Sequence, residues 1–361
     1  MTTVVPTSED DLSLSVVRFT SELAWADAGP EIAEPQVERL CVEAQECMVM
    51  AKLISAKIVQ QPNDRPALRL KILFNLYNLL NIPYGRFQVY MKSLNLAING
   101  KVAEHIVPSF KKIDSFLKEW NIGINDQREL FLTISNVLRE SKSSAKDSFK
   151  FLAKYLATFS GEDAHAMIEA KEEAARAVVE FVKAPDMFQC DLLEMPAVGQ
   201  LEGDAKYALV YQLLMIFMTQ RLDAYLEFQA ANSASLKSYG LVHEDCITKM
   251  RLMSLVDLGS SESGQIPYAL IRDTLQINDD DVESWVVKAI SAKLLDCKMD
   301  QLNEVVVVSR CTERVFGEQQ WVVLRGKLAT WKENVANVIS TIQANKVPED
   351  ASQAMQGVMI R

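Results

Sequence analysis

Three histidines in 361 residues leave little material for a catalytic or metal-binding centre. His105, His165 and His243 lie far apart, and neither Cys-x-x-Cys nor His-Glu-x-x-His occurs, so the usual zinc-ligand spacings are missing. His243-Glu244-Asp245-Cys246 gathers four ligand-capable side chains, but consecutive residues of a helix point in different directions. No Gly-x-Ser-x-Gly elbow offers a nucleophile. Gly259–Gly264 has glycine spacing without the following Lys-Ser or Lys-Thr of a phosphate loop. The sequence therefore predicts no enzyme, no cofactor and no metal. Acidic pairs such as Glu172-Glu173 and Asp280-Asp281 are expected on polar faces or helix starts, where solvation and the helix dipole explain them.

Long apolar runs are also lacking. The longest, Tyr207–Met218, contains Gln212 and would span only about 18 Å as a helix against roughly 30 Å of hydrocarbon, so it is expected to be a buried helix and not a membrane span. The start, Met1-Thr2-Thr3-Val4-Val5-Pro6 followed by Glu9, Asp10 and Asp11, has neither the basic end nor the apolar segment of a secretory signal. A cytoplasmic location is expected. The six cysteines, Cys41, Cys47, Cys190, Cys246, Cys297 and Cys311, lack the dense spacing of a disulfide scaffold and are expected to be reduced and mostly buried. Positive charge is short as well. A formal charge of −10 argues against autonomous binding to nucleic acid, which rests largely on Lys and Arg neutralising phosphates.

What the chain does have is apolar content, 49% of its residues, enough for a substantial core. With only 13 glycines and 11 prolines, most of the stretch from Pro35 to Val256 shows helical periodicity broken by short polar turns. Leu68, Ile72, Leu76 and Leu80 form one stripe, and after Asn81-Ile82-Pro83 a second helix carries Val89, Leu94 and Ile98. A similar hairpin pairs Leu130, Ile134 and Leu138 with Phe149, Leu152 and Leu156 across the turn Ser141-Lys142-Ser143-Ser144. A third runs from Tyr207 to Phe228. The interval between units varies, which suggests a degenerate helical-repeat array. Met48, Met50, Met215 and Met218 fall on apolar stripes, as expected of gap-filling core residues.

After the loop Leu258–Gly264 the pattern reads as a winged helix-turn-helix. A short helix is predicted to open at Pro267, and Asn278 to cap a second helix that carries Asp279, Asp280 and Asp281 in its first turn and runs to about Leu295. Val282, Val286, Ile290 and Leu294, with Trp285 and Ala289 alongside, form its core stripe. Cys297–Asp300 and Val305–Ser309, separated by Gln301–Glu304, read as the β-hairpin wing. From Glu318 onward Leu324, Leu328, Trp331, Val335, Val338 and Ile342 hold one seam with spacings of four, three, four, three and four. That stripe is too short for a free-standing coiled coil, so it either folds back on its own domain or joins a bundle of helices from several chains. A winged helix commonly reads DNA. Between Asp279 and Lys298, however, five acids face three bases, and the helix start would repel phosphate. Arg310, Arg314, Arg325 and Lys327 leave an RNA contact from the wing side as a weaker option.

Several runs together carry a resemblance: Lys249–Leu252, Leu275–Ile277, Asp280–Glu283, Cys297–Gln301, Val305–Ser309 and Phe316–Trp321. They resemble the PCI-domain family and, more narrowly, its subunit M branch in eukaryotic translation initiation factor 3. Met91–Ala97, the segment ending Glu119-Trp120-Asn121, and Phe188–Leu201 resemble the same branch, so the likeness covers nearly the whole chain. Phe316–Trp321 is its most specific stretch.

The resemblance implies a mainly α fold: a helical-repeat array, then a winged-helix subdomain with a small β-hairpin, then a C-terminal helix. The expected divisions are N-terminal helical repeats over 1–150, the helical part of the PCI domain over 151–258, the winged helix over 259–317, a bundle helix over 318–346 and a disordered tail over 347–361. It also implies a non-catalytic scaffold of a factor that binds the small ribosomal subunit and supports initiator transfer RNA and messenger RNA recruitment. Its partners would be other PCI-domain and MPN-domain subunits. Winged helices of such assemblies line up through β edges, which marks Val305, Val306, Val307, Val308 and Ser309 as a candidate edge, with Trp331, Val335, Val338 and Ile342 as the bundle seam. A PCI subunit of the proteasome lid or signalosome, or a stand-alone winged-helix RNA-binding protein, remains an alternative at this level.

Overall fold

The computed structural model describes residues 18, 30–140, 145–161, 164–260, 264–315 and 317–344. The expected turn at 141–144, Phe316, the acidic N-terminal stretch and the expected tail fall outside these. Two compact units divide the chain: residues 1–217 with 223–249, and residues 218–222 with 250–361.

The first unit is helical. Its elements are α1 (Pro30–Val59), α2 (Pro66–Leu79), α3 (Pro83–Asn99), α4 (Ile113–Trp120), α5 (Ile124–Glu140), α6 (Ala145–Ala157), α7 (Ala164–Ile168), α8 (Lys171–Lys183) and α9 (Pro196–Gly199). The unit division then falls within α10 (Ala208–Thr219), α11 (Leu222–Ser238) and α12 (His243–Gly259). Pro66 and Pro83 open their helices, where a missing N–H costs nothing. The α2–α3 hairpin packs with α1 around Ala51, Leu70, Leu73, Leu80, Val89 and Leu96. In the α5–α6 hairpin, Leu130, Ile134, Leu138, Phe149, Leu152 and Leu156 are all buried. The apolar run of α10 is a core helix, with Val210, Leu213, Leu214, Phe217 and Met218 shielded from solvent. Among the described residues no helix is long and apolar enough to cross a membrane.

Four expectations are corrected in this unit. Leu68 and Ile72 are exposed, and α2 turns Leu70 and Leu73 inward instead, because apolar residues run around most of this helix and periodicity alone cannot choose its buried face. Met50 lies on the solvent side of α1, whereas Met48 is core. Of this unit's cysteines only Cys41 and Cys246 are buried, while Cys190 is half-buried and Cys47 exposed; Cys297 and Cys311 of the second unit are half-buried. Glu173 is no solvated surface acid. Arg176 reaches Glu173 at 2.8 Å and Glu180 at 3.5 Å, and all three side chains are about four-fifths shielded. Burial pushes both carboxyl groups up and the guanidinium down, with the ion pairing opposing each shift.

The second unit is a winged helix followed by a long helix. Its elements are β1 (Gln265–Pro267), α13 (Tyr268–Leu275), a 3-10 turn at Asp279–Asp281, α14 (Val282–Ser291), β2 (Leu295–Asp300), β3 (Val305–Cys311) and α15 (Glu318–Ala344). The sheet is antiparallel in the order β1-β3-β2. The stripe of α14 packs inward as its spacing predicts: Val282, Trp285, Val286 and Ala289 are buried, and so is Leu294.

Helix ends differ from expectation here. Pro267 closes β1 in extended backbone, so α13 begins one residue later. Asn278 is extended but gives no side-chain cap, and the three aspartates form the 3-10 turn before α14. That helix stops at Ser291, since Lys293 takes a positive φ of 59° and Leu295 already pairs with Cys311.

Candidate functional site

Residues that carried the family likeness mostly hold the fold. Trp120 is buried in a cluster with Tyr77, Phe87, Tyr90 and Phe116, and its indole N–H donates to the Tyr77 hydroxyl at 3.2 Å. Asn121 takes the left-handed conformation that ends α4, and Glu119 pairs with Arg86. Lys249 is buried over the Phe181 ring and donates to the Phe181 and Ala184 carbonyls at the end of α8. Burial pushes its ammonium down to about 7. In the second unit Arg251 donates to the Leu275 and Gln276 carbonyls at 2.9 and 3.0 Å and lies over the Trp285 ring, closing the end of α13.

Nucleophile chemistry finds no setting in these contacts. His243 stacks on Tyr225, with Nδ1 3.2 Å from its hydroxyl, and burial pushes the Cys246 thiol up, away from the reactive thiolate. A half-open groove of about 410 Å³ in the first unit is lined by Met48, Lys52, Phe87, Lys92, Asp126 and Glu129 among others, without histidine or cysteine.

Surfaces suited to assembly lie in the second unit. On α15 the seam is open to solvent: Trp331, Val335, Val338 and Ile342 are 67, 45, 58 and 57% exposed, Leu328 is exposed and Leu324 half-buried. The alternative in which this helix folds back over its own domain is therefore not adopted. Trp321, three residues before Leu324, extends the seam, and Ile339 widens it. Both were missed in the sequence, although the same heptad spacing reaches Trp321.

The wing needs a correction. Val305, Val306, Val307 and Val308 were expected at an edge, but β3 is the central strand, with Val305–Val307 paired to β1 and Val305–Val308 to β2. The Val308 N–H also donates to the Gly264 carbonyl. A third strand, β1, had escaped notice because its three residues are too few to show alternation. Val306 is fully buried, whereas Val307 and Ser309 face outward. The longer free edge is β2, which makes no outward backbone hydrogen bond among the described residues.

Arg314 is withdrawn from any nucleic-acid role. It is 7% exposed and donates to Asp257 at 2.5 Å and to the Gln220 carbonyl at 2.9 Å. Arg310 pairs with Asp296 at 2.8 Å.

Helical hairpins, a winged helix and a long helix with an unburied apolar seam define a PCI-type scaffold protein. Residues 228–310 match the PCI domain family, and residues 314–342 match the family described as eIF3 subunit M, C-terminal helix. The chain is 37% identical over 308 residues to eukaryotic translation initiation factor 3 subunit M of Dictyostelium discoideum, covering 84% of this chain and 75% of that protein. Identity to the proteins of the same name from Gallus gallus and Homo sapiens is 31% over 337 residues, 92% of this chain and 84% of each of theirs. The chain belongs to the family of eukaryotic translation initiation factor 3 subunit M, a family of non-catalytic PCI-domain subunits.

Proposed function

We propose that α15 is the helix by which this chain enters translation initiation factor 3, inserting its Trp331, Val335, Val338 and Ile342 seam among helices of other PCI-domain and MPN-domain subunits. The observation that carries this is the exposed seam itself, within the stretch matching the subunit M C-terminal helix. Each apolar side chain contributes at most about 1.5–3 kcal/mol on full burial, and less here because each is already partly covered. The β2 edge, Leu295–Asp300, is the surface on which a neighbouring winged helix pairs. Through the complex the chain works in the cytoplasm on the small ribosomal subunit, supporting initiator transfer RNA and messenger RNA recruitment.

The test compares the wild-type chain with the Val335→Asp, Val338→Asp double variant, both tagged and recovered from cytosolic lysate with gradient sedimentation. Wild type is expected to bring down the other initiation-factor subunits and to travel in part with the small ribosomal subunit. The variant keeps its helical circular dichroism and loses both. Unchanged recovery by a folded variant would refute docking through the seam, and co-recovery with proteasome-lid or signalosome subunits would refute the assignment to this factor.

A further inference from the structure

The first unit carries a group of lysines on and just before α4 and on α6, with the acids Asp114 and Asp147 among them. Lys111 and Lys112 end the 3-10 turn before α4, Lys118 lies on α4, and Lys150 and Lys154 lie on α6. A bridge from Lys154 to Asp114 links α6 to α4, and Lys118 and Lys150 lie close enough to act on the same carboxyl. Hydrogen bonding from Lys154 holds the Asp114 carboxyl below the usual carboxylate range, and Lys154, Lys150 and Lys118 all act on it at a distance. Asp114 is thus spent on Lys154. Lys111, Lys112, Lys118 and Lys150 are exposed and bonded to no carboxylate among the described residues.

What this face lacks indicates its partner. Large exposed apolar side chains are numerous on α1, α2, the winged helix and α15, yet from residue 80 to residue 167 the described residues include only Ile124. A protein interface needs an apolar or aromatic centre, with charges confined to its rim. A phosphate backbone needs only closely placed cations. Lys150 and Lys154 stand one helical turn apart, about 6 Å along the axis.

We infer that the α4–α6 lysine face binds the phosphate backbone of RNA without reading its sequence. Contact comes from Lys111, Lys112, Lys118 and Lys150, while the Asp114–Lys154 bridge links the two helices. The inference stands on the charge arrangement and does not depend on α15. It also moves the RNA-contacting surface away from the wing, where Arg314 is buried and Arg310 already paired.

The test uses the purified full chain, a fluorescent single-stranded RNA of about 16 nucleotides, and a polyglutamate peptide of similar charge as competitor. Four phosphate contacts give a log–log salt slope of about −3, so raising salt from about 50 to about 200 mM weakens binding about fiftyfold. Lys118→Gln with Lys150→Gln is expected to flatten that slope by about half. Both residues are exposed, so the fold is retained, and recovery of partner subunits through α15 remains as in the wild type. Arg310→Gln leaves the slope unchanged. Salt-independent or absent RNA binding overturns the inference, as does an unaltered slope in the double variant. Polyglutamate competing as well as unlabelled RNA overturns it in favour of an acidic protein partner.

Discussion

A methyl group on Gly100 would stand 2.6 Å from the Pro66 Cβ and 2.9 Å from the carbonyl oxygens of Leu96 and Pro62. Two of those three atoms are backbone and cannot swing away, so Gly100→Ala is expected to destabilise the chain by about 1–3 kcal/mol, read as a lower urea midpoint; an unchanged midpoint would mean that the α3 end shifts freely. Lys249 poses a different problem. Its folded-state value of about 7 lies below the ordinary 10.5 because burial disfavours the charged amine. A depressed base contributes stability that is present at high pH and lost as pH falls toward the folded value. Between about pH 7 and pH 8.5 stability is expected to rise with pH, by about 1 kcal/mol per unit on average, and Lys249→Met should flatten that rise. Parallel denaturation curves for the two proteins across this range would show that the amine is already hydrated and charged in the fold. Neither role was legible in the sequence, where Lys249 stands only within a run that carries the family resemblance. Both depend on atoms brought close from elsewhere: Pro62 and Pro66 for the glycine, Phe181 and Ala184 for the lysine.

Among the elements, α15 has the widest gap between local pattern and burial. Its 27 residues form a helix, yet the seam that would anchor it lies in solvent, and packing of an apolar face ordinarily supplies most of a helix's stability. In the isolated chain its amides are expected to exchange with solvent far faster than those of α14, and assembly should slow them. Hydrogen exchange resolved to peptides from both helices measures this; equal protection in the free chain would imply a partner already in place within the chain. The heptad spacing made this helix and its seam readable. Buried stripes on α5, α6 and α14 were equally readable, because each has one apolar face. The inward face of α2 was not, since apolar residues run around most of it, and β1 was not, since three residues carry no period. Sheet order also decides which strand is free, and order is a matter of pairing between segments some forty residues apart in sequence.

Over the whole molecule, a formal charge of −10 describes an average that no single surface obeys. The three acids before α14 and the unpaired lysines around α4 and α6 occupy different units. The sequence by itself determined the helical class, the winged helix with its hairpin, the seam of α15 and the family, because each rests on periodicity or on residue strings read along the chain. Tertiary structure alone decided that the seam is left exposed, that β3 is central, that Arg314 is tied to Asp257 and that lysines from two helices stand about Asp114. Exposure, pairing and local charge are relations between residues distant in sequence, and they come into being only when packing places those residues side by side.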